Sequence, residues 1–190
     1  MLEITFGSAA FICFSALIWT ARGLAYFLSA LALHELGHLV VLAVCRAPVR
    51  GVRLGFGDIE IRTDGLPCGT ELLCAWAGPA MNLLLWLLHQ DVCAPFAAVN
   101  LLLGAYNLLP VLPLDGGRMW LAALRLLLEE RTAARISTLS GMAFAAAMLI
   151  LAILVRRELG WTPALFAAGL GLRLAAAKNS NCFCGRGTVQ

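Results

Sequence analysis

The fold is decided by residues 23–45, which read GLAYFLSALALHELGHLVVLAVC. This run of 23 residues exceeds the roughly 20 apolar residues that a helix needs to cross a bilayer. His34, Glu35 and His38 lie near its middle. Ionisable side chains are costly at that depth and by default mark a functional site. The stretch therefore predicts a membrane helix that carries a polar site.

The composition extends this prediction to the whole chain. Hydrophobic residues make up 61% of the 190 residues and charged residues 13%, with a mean hydropathy of +0.86. Soluble domains are about 45–50% apolar and about 25% charged. We expect one membrane-embedded domain over residues 1–178 and a loose tail over 179–190. The net charge is only +3, and the basic residues are scattered, so a nucleic-acid partner is not expected.

The apolar runs predict an all-α polytopic membrane protein with about six transmembrane helices. Eleven Lys and Arg residues follow the second, fourth and sixth runs, whereas three lie on the other side. The positive-inside rule then places both termini in the cytosol and the protein in the cell membrane. The predicted spans are roughly 4–20, 24–45, 71–89, 94–112, 138–155 and 162–177.

Residues 46–66 differ in kind from the spans. Apolar and charged side chains alternate there with glycines between them, and residues 59–62 follow a strict period of two. This pattern predicts short strands in a small hairpin or sheet at the cytosolic interface. The segment is either a simple connector or an edge that pairs with an extended substrate strand.

The motif of residues 34–38 predicts chemistry. His34 and His38 lie four residues apart, so a helix presents both imidazoles on one face. Glu35 can reach the same cavity without being a ligand. Zinc hydrolases use this pattern as two ligands and a general base toward water. The alternative, a chance match or a pair of hydrogen-bonded core histidines, must also explain three ionisable groups within one span.

A catalytic zinc ion needs a third protein ligand, and Asp115 is the candidate. It lies in the run NLLPVLPLDGGR, where Pro110 and Pro113 interrupt a regular helix. Irregular backbone at membrane depth must be buried in protein or line a wet cavity. The alternative role for Asp115 is an N-cap for the amphipathic stretch 119–128. His89 lies at the end of the third span, at the opposite interface, and is expected to bind no metal.

Asn82 and the last two cysteines are further candidates for functional residues. Asn82 follows Gly78 and Pro79, and a buried amide needs hydrogen-bond partners. It either binds substrate, including the oxyanion of a tetrahedral intermediate, or forms a helix–helix hydrogen bond. Cys182 and Cys184 form one isolated Cys-x-Cys pair, which is weak evidence for a metal site.

Three separated motifs resemble those of the site-2 protease family of intramembrane zinc metalloproteases. They match in order: His34–His38 the His-Glu-x-x-His motif, Ala77–Asn82 the middle motif, and Asn107–Gly117 the Leu-Asp-Gly motif. The small size resembles the branch of the stage IV sporulation protease FB. The likeness covers roughly residues 1–130.

The resemblance implies roles for individual residues. His34, His38 and Asp115 would bind one zinc ion, Glu35 would be the catalytic base, and Asn82 would help to hold the substrate. The substrate would be a transmembrane or membrane-associated protein, such as a single-span regulator whose cleavage releases a sigma factor. A membrane metal transporter and an inactive relative that only binds membrane partners are the alternatives.

Overall fold

The computed structural model describes residues 2–4, 20–47, 49–54, 59–63 and 66–154. Most of these residues are helical, and the strands are short. The helices are α1 (Ala21–Val44), α2 (Cys68–His89), α3 (Ala94–Asn107), α4 (Asp115–Leu127) and α5 (Glu130–Leu154). The strands are β1 (Leu2–Ile4), β2 (Val49–Leu54) and β3 (Ile59–Thr63).

Three of the described helices are long and apolar enough to cross a membrane: Ala21–Val44, Cys68–His89 and Glu130–Leu151. The first two agree closely with the predicted spans 24–45 and 71–89, and the third overlaps the predicted span 138–155 but begins eight residues earlier. Their length and composition are those of a multi-pass helical membrane protein. The spans predicted at 4–20 and 162–177 and the tail at 179–190 lie, apart from residues 4 and 20, outside the described residues.

The fourth predicted span, 94–112, is wrong in its extent. The helix α3 has 14 residues and ends at Asn107. Residues 108–114 are irregular and include a cis peptide between Leu112 and Pro113. Proline has no backbone N–H to continue a helix, and hydropathy alone does not register this break. A new helix, α4, begins only at Asp115.

The three strands form one sheet in the order β1–β2–β3. β2 and β3 run antiparallel, with Val52 opposite Ile61 and Leu54 opposite Ile59. β1 runs parallel to β2 and pairs Leu2 with Val52. β2 and β3 lie within the segment 46–66 for which short strands were predicted, whereas β1 was not expected.

The described chain divides into two compact units at Ala105. In the first unit, α1 and α2 pack along their length. α1 begins at a cap in which Thr20 Oγ1 accepts from Gly23 N at 3.2 Å, which satisfies one orphan N–H of the first turn.

The second unit contains the turn before α4, and α4 and α5. One core cluster joins Val111 and Leu114 to Ala145, and another joins Leu121 and Leu124 to Ala133. At the start of α4, a Cβ on Gly116 would overlap the carbonyl of Leu108, so glycine lets the helix lie directly against the preceding backbone. Asp115 is placed at this close contact.

Candidate metal centre

The buried face of α1 carries the two predicted histidine ligands. Its buried residues recur with helical spacing, so they form one stripe. His34 is 3% exposed and His38 is 4% exposed. The outward face consists of large apolar side chains such as Leu36 and Val40. The buried stripe is Ala30, His34, Gly37, His38 and Leu42.

Two glycines bring α2 unusually close to that stripe. A Cβ on Gly37 would lie 2.7 Å from the carbonyl oxygen of Ala77 on α2. Conversely, a Cβ on Gly78 would meet the Nε2 atoms of both histidines, 2.6 Å from that of His34. Small residues allow this approach of two membrane helices. As a result, groups on α2 reach both imidazole rings.

The hydrogen bonds of Asn82 set the protonation of His34. Asn82 Nδ2 donates to the carbonyl of Ala30 at 3.2 Å and to Oδ1 of Asn100 at 2.8 Å. Its Oδ1 atom therefore faces His34 Nδ1, 2.5 Å away, and can only accept. His34 must carry its proton on Nδ1, which leaves a lone pair on Nε2.

His38 has the same tautomer as His34, and a different hydrogen-bond partner fixes it. Its Nδ1 lies 2.7 Å from the carbonyl oxygen of Cys74 on α2. A carbonyl only accepts, so Nδ1 donates and Nε2 again holds the lone pair. Such bonds to the second ring nitrogen are how proteins orient histidine ligands of metals.

The two lone pairs converge on one point, and this arrangement fits zinc. The Nε2 atoms of His34 and His38 are 3.2 Å apart, and neither has a proton to donate to the other when both rings are neutral. Two nitrogen ligands at the usual zinc distance in tetrahedral geometry are about 3.3 Å apart. A cation satisfies both lone pairs, and because Gly78 has no side chain its backbone can lie directly beside the two Nε2 atoms.

Asp115 is the first residue of α4 and is only 7% exposed. The N-cap position belongs to Leu114, so the alternative prediction that Asp115 caps this helix is wrong. Arg118 Nη1 lies 3.7 Å from its Oδ1, a distance typical of an ion pair without a close hydrogen bond. Asp115 therefore offers a buried carboxylate oxygen, a donor of the kind that zinc binds.

The remaining predicted residues occupy distinct environments. Glu35 is half-buried on α1 beside His34. Asn82 is fully buried, and both of its N–H groups have partners within the described residues, which favours the helix–helix alternative for its role. His89 Nδ1 donates to the carbonyl of Leu85 in its own helix.

One residue of this site was not predicted from the sequence. Asn100 on α3 is fully buried and accepts the hydrogen bond from Asn82. The signal that could have found it is the spacing of Ala97, Asn100 and Gly104, which places small and polar residues on one face of an apolar helix. Membrane helices pack through faces of this kind.

Comparison with known proteins shows which protein families this chain is similar to. Residues 87–151 match peptidase family M50. That segment includes Asp115 and lies after the histidine motif. The chain is 27% identical to a zinc metalloprotease of Methanocaldococcus jannaschii over 154 residues, 74% of this chain and 45% of the relative. It is 35% identical over 117 residues to Rip3 of Mycobacterium tuberculosis, a provisionally named zinc metalloprotease, covering 52% of this chain and 30% of Rip3.

The chain therefore spans less than half the length of these curated relatives. A solved structure, the site-2 protease from Methanocaldococcus jannaschii, shares the fold with a TM-score of 0.73. The match covers 100% of this chain and 94% of that protein, at 20% sequence identity.

Three helices long and apolar enough to cross a membrane, two buried histidines of a His-Glu-x-x-His motif and a segment matching peptidase family M50 make the chain similar to zinc metalloproteases. Within that class the chain is similar to the site-2 proteases, and the resemblance predicted from its motifs is confirmed.

Gly78→Ala tests the position of the metal. The added methyl would occupy the space beside both Nε2 atoms, so we expect zinc content to fall from about one ion per chain to near zero. Gly69→Ala is the control on the same helix, because nothing lies within 4 Å of its Cβ. Zinc is measured by atomic emission on detergent-purified protein whose folding is checked by gel filtration. Normal zinc content in folded Gly78→Ala would contradict this metal position.

Proposed function

We propose that this chain is an intramembrane zinc metalloprotease that cleaves a transmembrane or membrane-associated protein within or near the bilayer. His34, His38 and Asp115 hold one zinc ion, and Glu35 is the catalytic base. The proposal is supported by the named relatives, which are metalloproteases, and by the peptidase family matched over residues 87–151.

The observation that carries the proposal is the convergence of the two Nε2 lone pairs 3.2 Å apart on a helix long enough to cross a membrane. Burying two imidazoles there is costly unless their polar atoms are paired. Both Nδ1 atoms are paired with α2, while both Nε2 atoms face one another. The Nδ1 bonds orient the two rings, and this orientation brings the Nε2 atoms close enough for one cation to bind both.

Each residue then has a separate task. When bound, zinc supplies Lewis acidity that brings the pKa of water near 7 and polarises a carbonyl. Glu35 takes the proton from water and can return it to the leaving amine. The Nδ1 bonds of His34 and His38 keep the rings oriented throughout. A side chain at Gly78 would collide with both Nε2 atoms, so glycine at this position keeps the two proposed ligand atoms accessible to the metal.

The position of the site on a membrane helix indicates the class of substrate. A reaction centre on a membrane helix reaches peptide bonds in or beside the bilayer, which favours a single-span regulator over a soluble protein. Release of a sigma factor or another regulator, and membership of the sporulation branch, stay predictions from the resemblance.

Glu35→Gln separates the proposed function from its alternatives. The amide keeps the size of the side chain but accepts no proton, so we expect cleavage to fall by about 10²- to 10⁴-fold with zinc content unchanged. Cleavage is followed by co-expressing a panel of single-span membrane regulators and resolving their fragments.

His34→Ala is the matched comparison, because it removes a proposed ligand and should lose zinc and cleavage together. A metal transporter or an inactive binding partner would not depend on a base at Glu35. Wild-type levels of cleavage in Glu35→Gln would overturn the mechanism.

We also propose that both termini and the access path to the site face the cytosol, as the distribution of Lys and Arg favours. Native cysteines report this orientation. Cys45 follows α1 and is exposed, whereas Cys93 follows α2 and is half-buried. In sealed vesicles with single-cysteine variants, an impermeant maleimide should label Cys45 from the cytosolic face and Cys93 from the other. The reverse pattern would refute the orientation, and labelling of both from one face would refute the crossing of α2.

The edge strand β3 is the proposed docking site for an extended stretch of substrate. It lies at the end of the sheet order, and the only partner it has among the described strands is β2. Alternate residues of an antiparallel edge strand direct their N–H groups outward. Proline is introduced singly at positions 59, 60, 61 and 62. At the two alternate positions whose N–H groups point outward, proline should lower cleavage strongly while zinc content is unchanged. Unchanged cleavage in all four variants would rule out edge pairing.

A further inference from the structure

We propose that Asn100 is a positioning residue that holds His34 in its metal-binding tautomer through Asn82. The inference rests on the proposed zinc site and adds a residue to it. Three buried side chains from three helices form a continuous hydrogen-bonded chain: Asn100 on α3, Asn82 on α2 and His34 on α1. Asn100 and Asn82 are both fully buried.

Two backbone carbonyls fix the direction of every bond in this chain. Asn100 Nδ2 donates to the carbonyl of Phe96 at 2.9 Å, so its Oδ1 faces Asn82. Asn82 Nδ2 donates to that Oδ1 and to the carbonyl of Ala30. Since a carbonyl cannot donate, neither amide can turn over without placing acceptor against acceptor.

The orientation of Asn82 decides which nitrogen of His34 has the lone pair. With Oδ1 toward His34, the ring proton sits on Nδ1 and Nε2 has the lone pair that a metal ligand needs. If the amide of Asn82 turned over, Nδ2 would face Nδ1 and the ring would have to carry its proton on Nε2, the nitrogen that faces His38. A protonated Nε2 cannot be a ligand.

Asn100 supplies one of the two acceptors that prevent the amide of Asn82 from turning over. Without it, Asn82 keeps only the carbonyl of Ala30 as a fixed acceptor and has one N–H without a partner. The fit around Asn82 also depends on α3, because a Cβ on Gly104 would lie 3.2 Å from the Cβ of Asn82. The third helix therefore acts on the proposed metal ligand through Asn82.

The test uses the full chain with Asn100→Leu and Asn100→Asp. Leucine keeps the volume and removes the acceptor, so zinc affinity, measured by competition with a chelating dye, should fall about 10- to 100-fold. A buried aspartic acid in its neutral form donates to Phe96 and accepts from Asn82, and we expect it to restore affinity to within about threefold of wild type. Ser137→Ala is the control, since it removes a buried hydroxyl from α5.

A second measurement does not depend on zinc or on proteolysis. In zinc-free protein at about pH 8, above the ordinary histidine pKa of about 6.5, nitrogen-15 shifts of the His34 ring report its tautomer. Wild type and Asn100→Asp should show the proton on Nδ1, and Asn100→Leu a mixture. A pure Nδ1–H tautomer with unchanged zinc affinity in Asn100→Leu would overturn the inference. If Asn100→Leu does not fold, loss of the Nδ1–H tautomer or of zinc in Asn100→Asp would overturn it instead. Failure of wild type to bind zinc would count against the proposed function and leave the tautomer result intact.

Discussion

The close crossing of α1 and α2 is the constraint on which the site depends. A side chain at Gly37 would collide with the backbone of Ala77, so the two helices approach almost to backbone contact. Only at that separation can the carbonyl of Cys74 and the amide of Asn82 reach the imidazoles of α1. Lipid gives no hydrophobic drive for helices to associate, so close packing and hydrogen bonds must hold them together. The ligand-orienting bonds are therefore also the bonds that join the helices.

The membrane setting inverts the usual relation between polarity and burial. On α1 the outward face has exposed Leu28, Leu36 and Val40, whereas the inward face has alanine, glycine and histidine. α2 and α3 repeat this pattern, with Asn82 and Asn100 among their most buried residues. Each of these polar groups has a hydrogen-bond partner, which removes most of the cost of burying it. Polar residues within apolar runs thus mark the interior.

The features that could be predicted from the sequence are those that depend on neighbouring residues alone. The long spans and the histidine motif were predictable, because length and spacing are local properties. The break at Pro110 and Pro113 was predicted, but the span was drawn to residue 112 because averaged hydropathy stays high beyond the end of α3 at Asn107. The role of Asn82 stayed open between two alternatives because its partner Ala30 lies 52 residues away. Asn100 was overlooked within an apolar run, although its spacing from Ala97 and Gly104 would have shown the packed face.

Helix packing and metal binding are consequently linked in free energy. With both Nδ1 atoms engaged, the packed state holds the two Nε2 atoms 3.2 Å apart, a separation that suits one shared cation under the proposed function. A ligand that binds only the packed state stabilises it in proportion to the logarithm of its concentration over the dissociation constant. The same link restricts substrate entry. A polypeptide that separated α1 from α2 would break the bonds to Asn82 and Cys74 and release the ligands. Under the proposed function, productive access therefore leaves this crossing closed, with Gly37 and Gly78 keeping the two helices in close contact.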